Sequence, residues 1–221
     1  SIADGEGVAW GGNGIFEMGA QWMLWQVNPH WIDDETYHWD AFKKNTHKAF
    51  LHTENIYRSP YILEYWSERQ GLPFIGELFR QGKKGEDPVM TYKRMQNLSQ
   101  EQFNDEMFDA YQHLINFDYK RVFSITRPWA NSFPDFRSCL EEKEDGWYQV
   151  RKAWCPENYG FNAIHLKVPA ASTTVQITFS GITPAGQDYN IQSPEKAGWR
   201  YGVVGVTATG QTIRGEVHKN R

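Results

Sequence analysis

The sequence predicts an α+β fold: a mainly helical part over residues 1–140, followed by an antiparallel β-sandwich over residues 141–221. Three observations lead there. Phe103, Met107, Tyr111 and Leu114 recur at steps of four, four and three, which lines one side of a helix. Residues 174–179 alternate, with Val175, Ile177 and Phe179 on one face and Thr174, Gln176 and Thr178 on the other, as a half-buried strand does. The charge balance also changes, from 19 acidic and 14 basic residues over 1–140 to 8 acidic and 9 basic over 141–221, and the acidic run from Glu141 to Asp145 marks the junction. With 221 residues, one large or two small domains are expected. The 40 % hydrophobic and 15 % aromatic content is enough to build cores and excludes a disordered chain.

The elements follow in order. Gly5, Gly7, Gly11, Gly12 and Gly14 make residues 1–14 a loop, and no Lys-Ser/Thr follows to make it a phosphate-binding one. Ile15–Val27 is a helix apolar on nearly every side, which predicts a core position, and Asn28-Pro29 ends it. Asp34 or Thr36 caps a helix with Trp39, Phe42, Thr46 and Phe50 along one face. Ser59-Pro60 opens a helix carrying Ile62, Tyr65 and Trp66 that stops at Gly71. A short helix over 72–80 follows, then one from Asp87-Pro88 to Met95, then one opened by a capping box of Ser99 and Gln102. Residues 147–151, 163–168, 174–179, 201–207 and 211–217 read as strands, the last two joined by a hairpin at Gly210. Short antiparallel strands with one packed face point to the sandwich.

A net charge of -4 and a pI near 6.0 argue against a broad basic face for nucleic acid. No run of about 18 apolar residues is present, so no membrane-spanning helix is expected. The start Ser1-Ile2-Ala3-Asp4 has neither the basic nor the apolar region of a signal peptide, and both ends read as the interior of a longer chain. Cys139 and Cys155 allow one bridge or two thiols. Glu17, in its apolar helix with Gln21 one turn later, stands out, because a buried carboxylate must be matched by a metal, a cation, backbone N–H groups or a proton. The readings are a salt bridge, a metal ligand or a catalytic acid. The seven histidines show no H-E-x-x-H, and His47 and His52, five apart, do not share a metal from one regular helix. Tyr57 and Arg58 sit in a connector. They read either as groups that steady an oxyanion or as a helix cap and a packing aromatic.

The stretch from Gly14 to Trp22 resembles the second active-site helix of glutamate-zincin (gluzincin) metallopeptidases, in which a Glu is the third zinc ligand. More of the chain is similar to a family of secreted bacterial proteins of unknown function with a zincin-like core. The matching segments are Tyr57-Arg58-Ser59-Pro60-Tyr61, Tyr65-Trp66, Gly85-Glu86-Asp87-Pro88, Cys155-Pro156-Glu157-Asn158-Tyr159-Gly160-Phe161-Asn162 and Gly198-Trp199-Arg200-Tyr201-Gly202. The resemblance implies that residues 1–140 are the C-terminal half of a zincin-like domain, with zinc held by Glu17 and two histidines from an H-E-x-x-H upstream of Ser1. It implies hydrolysis of peptide bonds, Gln21 supporting the metal ligand, and Tyr57 or Arg58 at the oxyanion. The rival expectation is a secreted, non-catalytic protein that binds a glycan or another protein. A glycoside hydrolase is weaker, because no second carboxylate is visibly poised beside Glu17.

Overall fold

A computed structural model describes Trp10 and residues 14–169, 173–183, 193–207, 209 and 211–220. The rest of the glycine-rich start and the hairpin position Gly210 lie outside the described residues. The fold is α+β. Two compact units divide it: Ser1–Pro134 with Pro156–Asn162, and Asp135–Cys155 with Ala163–Arg221.

The first unit is helical. Helix α1 (Ile15–Val27) keeps the bounds its sequence predicts, and Asn28 closes it in an extended conformation ahead of Pro29. Two short helices follow, α2 (Trp31–Asp34) and α3 (Thr36–Phe42). The predicted stripe of Trp39, Phe42, Thr46 and Phe50 is buried, but the helix stops at Phe42, so Thr46 and Phe50 enter the core from turns. Helix α4 (Tyr61–Gln70) starts after Pro60 and ends at Gly71, whose φ of 92° suits a residue without a side chain. Helix α5 (Pro73–Arg80) follows closely. Asp87 caps α6 (Pro88–Gln96) by accepting from Met90 N–H at 2.7 Å, and Asn97 ends it in the left-handed region. Helix α7 (Gln100–Ile115) carries the predicted capping box, with Ser99 and Gln102 each bonded to the other's backbone N–H. A last short helix, α8 (Phe123–Thr126), leads into a 3-10 turn over Arg127–Ser132.

The core of this unit is aromatic. Trp25, Trp31, Trp39, Trp66, Tyr61, Tyr92, Tyr119, Phe79, Phe103 and Phe117 are fully buried. Tilted and edge-on contacts dominate, such as Trp39–Phe117 at 4.7 Å, while Trp66 and Tyr92 stack at 4.1 Å. Residues 156–162 strap the segment after α3 to the rest. Glu157 and Phe161 donate their N–H groups to His47 and Thr46 carbonyls at 2.8 Å, Glu157 Oε2 accepts from Ala49 N–H at 2.8 Å, and Tyr111 hydroxyl donates to Tyr159 carbonyl.

The second unit holds β1 (Leu140–Glu142), β2 (Tyr148–Val150), β3 (Trp199–Tyr201), β4 (Val204–Val206), β5 (Thr212–Arg214) and β6 (His218–Asn220). They form three antiparallel pairs: β1 with β2, β3 with β6, and β4 with β5. The strands expected over 147–151, 201–207 and 211–217 are present in shortened form. Residues 163–168 and 174–179 have no ladder among the described residues, and the packed face expected of Val175, Ile177 and Phe179 does not form: Val175 and Ile177 are 46 % and 48 % exposed, and beyond Ala163 the first segment is exposed too. The run from Glu141 to Asp145 reaches from β1 into the turn before β2. Cys139 and Cys155 are free thiols.

Gly14 lets α1 start where it does. A Cβ there would lie 2.4 Å from Ile56 Cγ2, although its φ of -58° suits any residue. Gly14→Ala is expected to lower stability by about 1–3 kcal/mol through overpacking, with part recovered by adding Ile56→Ala. Urea unfolding of the two variants checks this, and an unchanged midpoint in Gly14→Ala would show that the two segments do not meet.

Candidate functional site

Helix α1 buries one side only. Ile15, Met18, Gly19, Trp22 and Trp25 face the core, while Glu17, Ala20, Met23, Leu24 and Val27 are exposed. The expectation of an all-buried helix is therefore corrected: its apolar residues divide between a core face and an open one. Glu17 stands in water and needs no buried partner, so the desolvation argument that singled it out does not apply. Ala20, Leu24 and Val27 lie three, seven and ten residues after Glu17, on the same stripe of the helix. Val27 is 81 % exposed, which makes this stripe an uncovered apolar surface rather than a scattered residue or two. Gln21 is half-buried, and its Oε1 accepts from Trp31 Nε1 at 3.0 Å, which ties α1 to α2.

The carboxylate that does meet the burial argument is Glu64 on α4, 1 % exposed. It accepts from Trp22 Nε1 at 3.0 Å, Gln26 Nε2 at 2.8 Å, Arg121 Nε at 2.7 Å and the Arg121 terminal nitrogen at 3.1 Å. Arg121 also donates to Trp25 carbonyl at 3.2 Å and lies over the Trp25 ring at 5.4 Å. Sequence reasoning missed Glu64, yet the signal was there: one carboxylate inside Tyr61-Ile62-Leu63-Glu64-Tyr65-Trp66.

Tyr57 is exposed and Arg58 half-buried, in the turns before α4. The Gly14–Ile56 contact sets this connector against the start of α1, one turn from Glu17. Gln21 leads through Trp31 to His38, whose ring stacks on Trp31 at 5.5 Å, and Arg58 is close enough to His38 to oppose its protonation. The Gly14–Ile56 approach relates the connector to the start of α1, but among the described residues no hydrogen bond or ion pair joins Glu17 or Gln21 to Tyr57 or Arg58.

A second titratable cluster joins α4, α6 and α7. Tyr65 hydroxyl donates to Asp109 at 2.5 Å and Tyr92 hydroxyl donates to Glu106. Arg69 lies 3.9 Å from Glu106 and 3.7 Å from Asp109, and His113 Nε2 is 3.7 Å from Asp109. Burial and the accepting carboxylates raise both tyrosines above their ordinary range, so they remain donors. Every group has its partner, and the cluster reads as an interhelical clamp.

The segment Gly85-Glu86-Asp87-Pro88 is also structural. Arg94 holds Glu86 through two nitrogens at 2.6 and 2.8 Å, Thr91 donates to it at 2.7 Å, and Trp10 Nε1 donates to Thr91 at 3.0 Å. The guanidinium brings Glu86 down to about 2. Among the described residues no three His, Cys, Asp or Glu side chains gather as metal ligands. Glu17 offers one carboxylate, so these residues alone do not fit a zinc site. No described helix is long and apolar enough to cross a membrane.

His38 carries a pH dependence. Its ring is buried, Nδ1 has no partner among the described residues, and desolvation lowers its pKa below the ordinary 6.5, with Glu35 opposing and Arg58 assisting. As pH falls through 6.5 the unfolded chain takes up the proton first, so stability present above that pH is lost below it. The urea midpoint is expected to fall from pH 7.5 to 5.5, and less steeply in His38→Phe. Equal slopes in the two proteins would contradict this.

Among curated proteins and among solved structures, nothing matches the chain. The sequence profile of one family matches residues 3–221, nearly the whole length. The chain belongs to this family, described as a family of unknown function (DUF6055).

Proposed function

We propose that this chain is one part of a zincin-like, zinc-dependent peptidase of the bacterial cell exterior, to which it contributes Glu17 as a metal ligand. The observation that supports this most is the setting of Glu17. It is an exposed carboxylate on a helix whose other side is fixed by Trp22, Trp25 and Gln21, so the acid is displayed from a rigid element. In this reading the two histidines and the general base come from an H-E-x-x-H outside these 221 residues, and the stripe of Ala20, Met23, Leu24 and Val27 packs against the part that carries them. Gln21, anchored by Trp31, supports the ligand from one turn away. Tyr57 or Arg58, in the connector set against the start of α1, faces the oxyanion of a peptide substrate.

A second reading has its own support. The same uncovered stripe on α1, together with exposed Tyr37 and Tyr57 elsewhere on the first unit, would equally serve a non-catalytic protein that binds another protein or a glycan.

Zinc content and peptide hydrolysis, measured on a chain extended upstream of Ser1, separate the two. The peptidase reading expects about one zinc per chain, lost together with hydrolysis in Glu17→Ala, while unfolding stability moves by no more than about 0.5 kcal/mol because the side chain is exposed. Zinc content and hydrolysis unchanged in Glu17→Ala would overturn it. Binding of glycan or protein without any hydrolysis would establish the second reading.

A further inference from the structure

Tyr61 occupies the middle of the aromatic core of the first unit. Its ring lies 5.2–5.9 Å from those of Phe42, Trp25, Phe117 and Trp39. The hydroxyl at its end breaks the pattern. Tyr61 is 2 % exposed and its Oη is buried with no hydrogen-bond partner among the described residues. Thr46, 1 % exposed, repeats the anomaly, since its Oγ1 is also buried and unpartnered. A buried hydroxyl loses its bonds to water and regains nothing unless something replaces them, so an orphan of this kind asks for an explanation.

The two orphans line one cavity. Its walls are otherwise mostly apolar, with Phe42, Phe50, Ile62, Leu114 and Phe161 among them. Ser59 lines it too. The single Ser59 hydroxyl proton is directed at Phe50 and Asn55 carbonyls, at 3.1 and 2.9 Å, which leaves its oxygen free to accept. Size decides what fits. The volume open to the centre of a water molecule is about 20 Å³. One water needs about 10–15 Å³ on that measure, whereas sites for drug-sized ligands begin at about 300 Å³ of cleft. A buried water also needs two to four polar partners, and three hydroxyl-bearing residues with bonding capacity to spare, Tyr61, Thr46 and Ser59, are among those that line this space.

We propose that this cavity is an internal hydration site, holding one or two ordered waters that accept from Tyr61 Oη, bond Thr46 Oγ1 and donate to Ser59 Oγ. The water completes the hydrogen bonding of the core where the turns after α3 meet α4 and α7. It is a built-in component of the first unit, independent of any metal or substrate.

The nearly isosteric changes Tyr61→Phe and Thr46→Val give opposite signs for a hydrated and a dry cavity. If water bridges the hydroxyls, each change removes a bond to it, and each variant melts about 2–4 °C lower than the parent. If the hydroxyls stand unpartnered, removing either relieves a penalty, and a melting temperature equal to or above that of the parent overturns the proposal. A high-resolution crystal structure reads the site directly. Water density within about 2.6–3.2 Å of both oxygens supports it. Density for xenon in the pressurised parent crystal marks a dry cavity and overturns it.

Discussion

The first unit depends on one buried charge. The Glu64 carboxylate sits where α1, α4 and the segment before α8 converge, and it accepts four hydrogen bonds from Trp22, Gln26 and Arg121. A carboxylate this deep is tolerable only when its lone pairs are used and its charge is matched. Here the match comes from a guanidinium whose side chain is 30 % exposed, so the cation keeps part of its hydration while the anion has none. The same guanidinium reaches Trp25 carbonyl and the Trp25 ring. The orientation of α1, and with it the direction in which Glu17 faces, follows from this node together with the Gln21–Trp31 bond and the close approach of Gly14 to Ile56.

Helices were legible wherever local chemistry stops or starts them. Pro29, Pro60, Gly71, Asp87-Pro88 and the Ser99–Gln102 box act through their own backbone and neighbours, and the structure uses each at the predicted place. The end of α3 was not legible, because an apolar stripe at helical spacing also arises when a chain in turns points every third or fourth residue inward, as Thr46 and Phe50 do. In the second unit, the alternation of 174–179 in the sequence does not become a packed face, since Val175 and Ile177 are exposed. It does not name a pairing partner, and pairing is what makes a strand.

The site tells the same story. The rule that a carboxylate in an apolar helix needs a partner is sound, but it points to Glu64 and not to Glu17, because α1 has an open side that the composition of a 13-residue helix hides. Two of the segments that carry the family resemblance prove to be joints. Glu86 and Asp87 lock the entry to α6, and Glu157, Tyr159 and Phe161 strap the turns after α3 to α7. Segments like these hold a fold together and leave activity to what the fold displays. The proposal for activity rests instead on the exposed face of α1 and on the Tyr57–Arg58 connector.

A double-mutant cycle between Glu64 and Arg121, read by urea unfolding, tests this account most directly. Arg121→Met strands a buried carboxylate and is expected to cost about 3–5 kcal/mol. Adding Glu64→Met removes the stranded charge, so the double variant should recover most of that loss. A cost for Arg121→Met of under about 1 kcal/mol, as for a surface ion pair, or two losses that simply add, would contradict the claim that this pair anchors α1 and the face it presents.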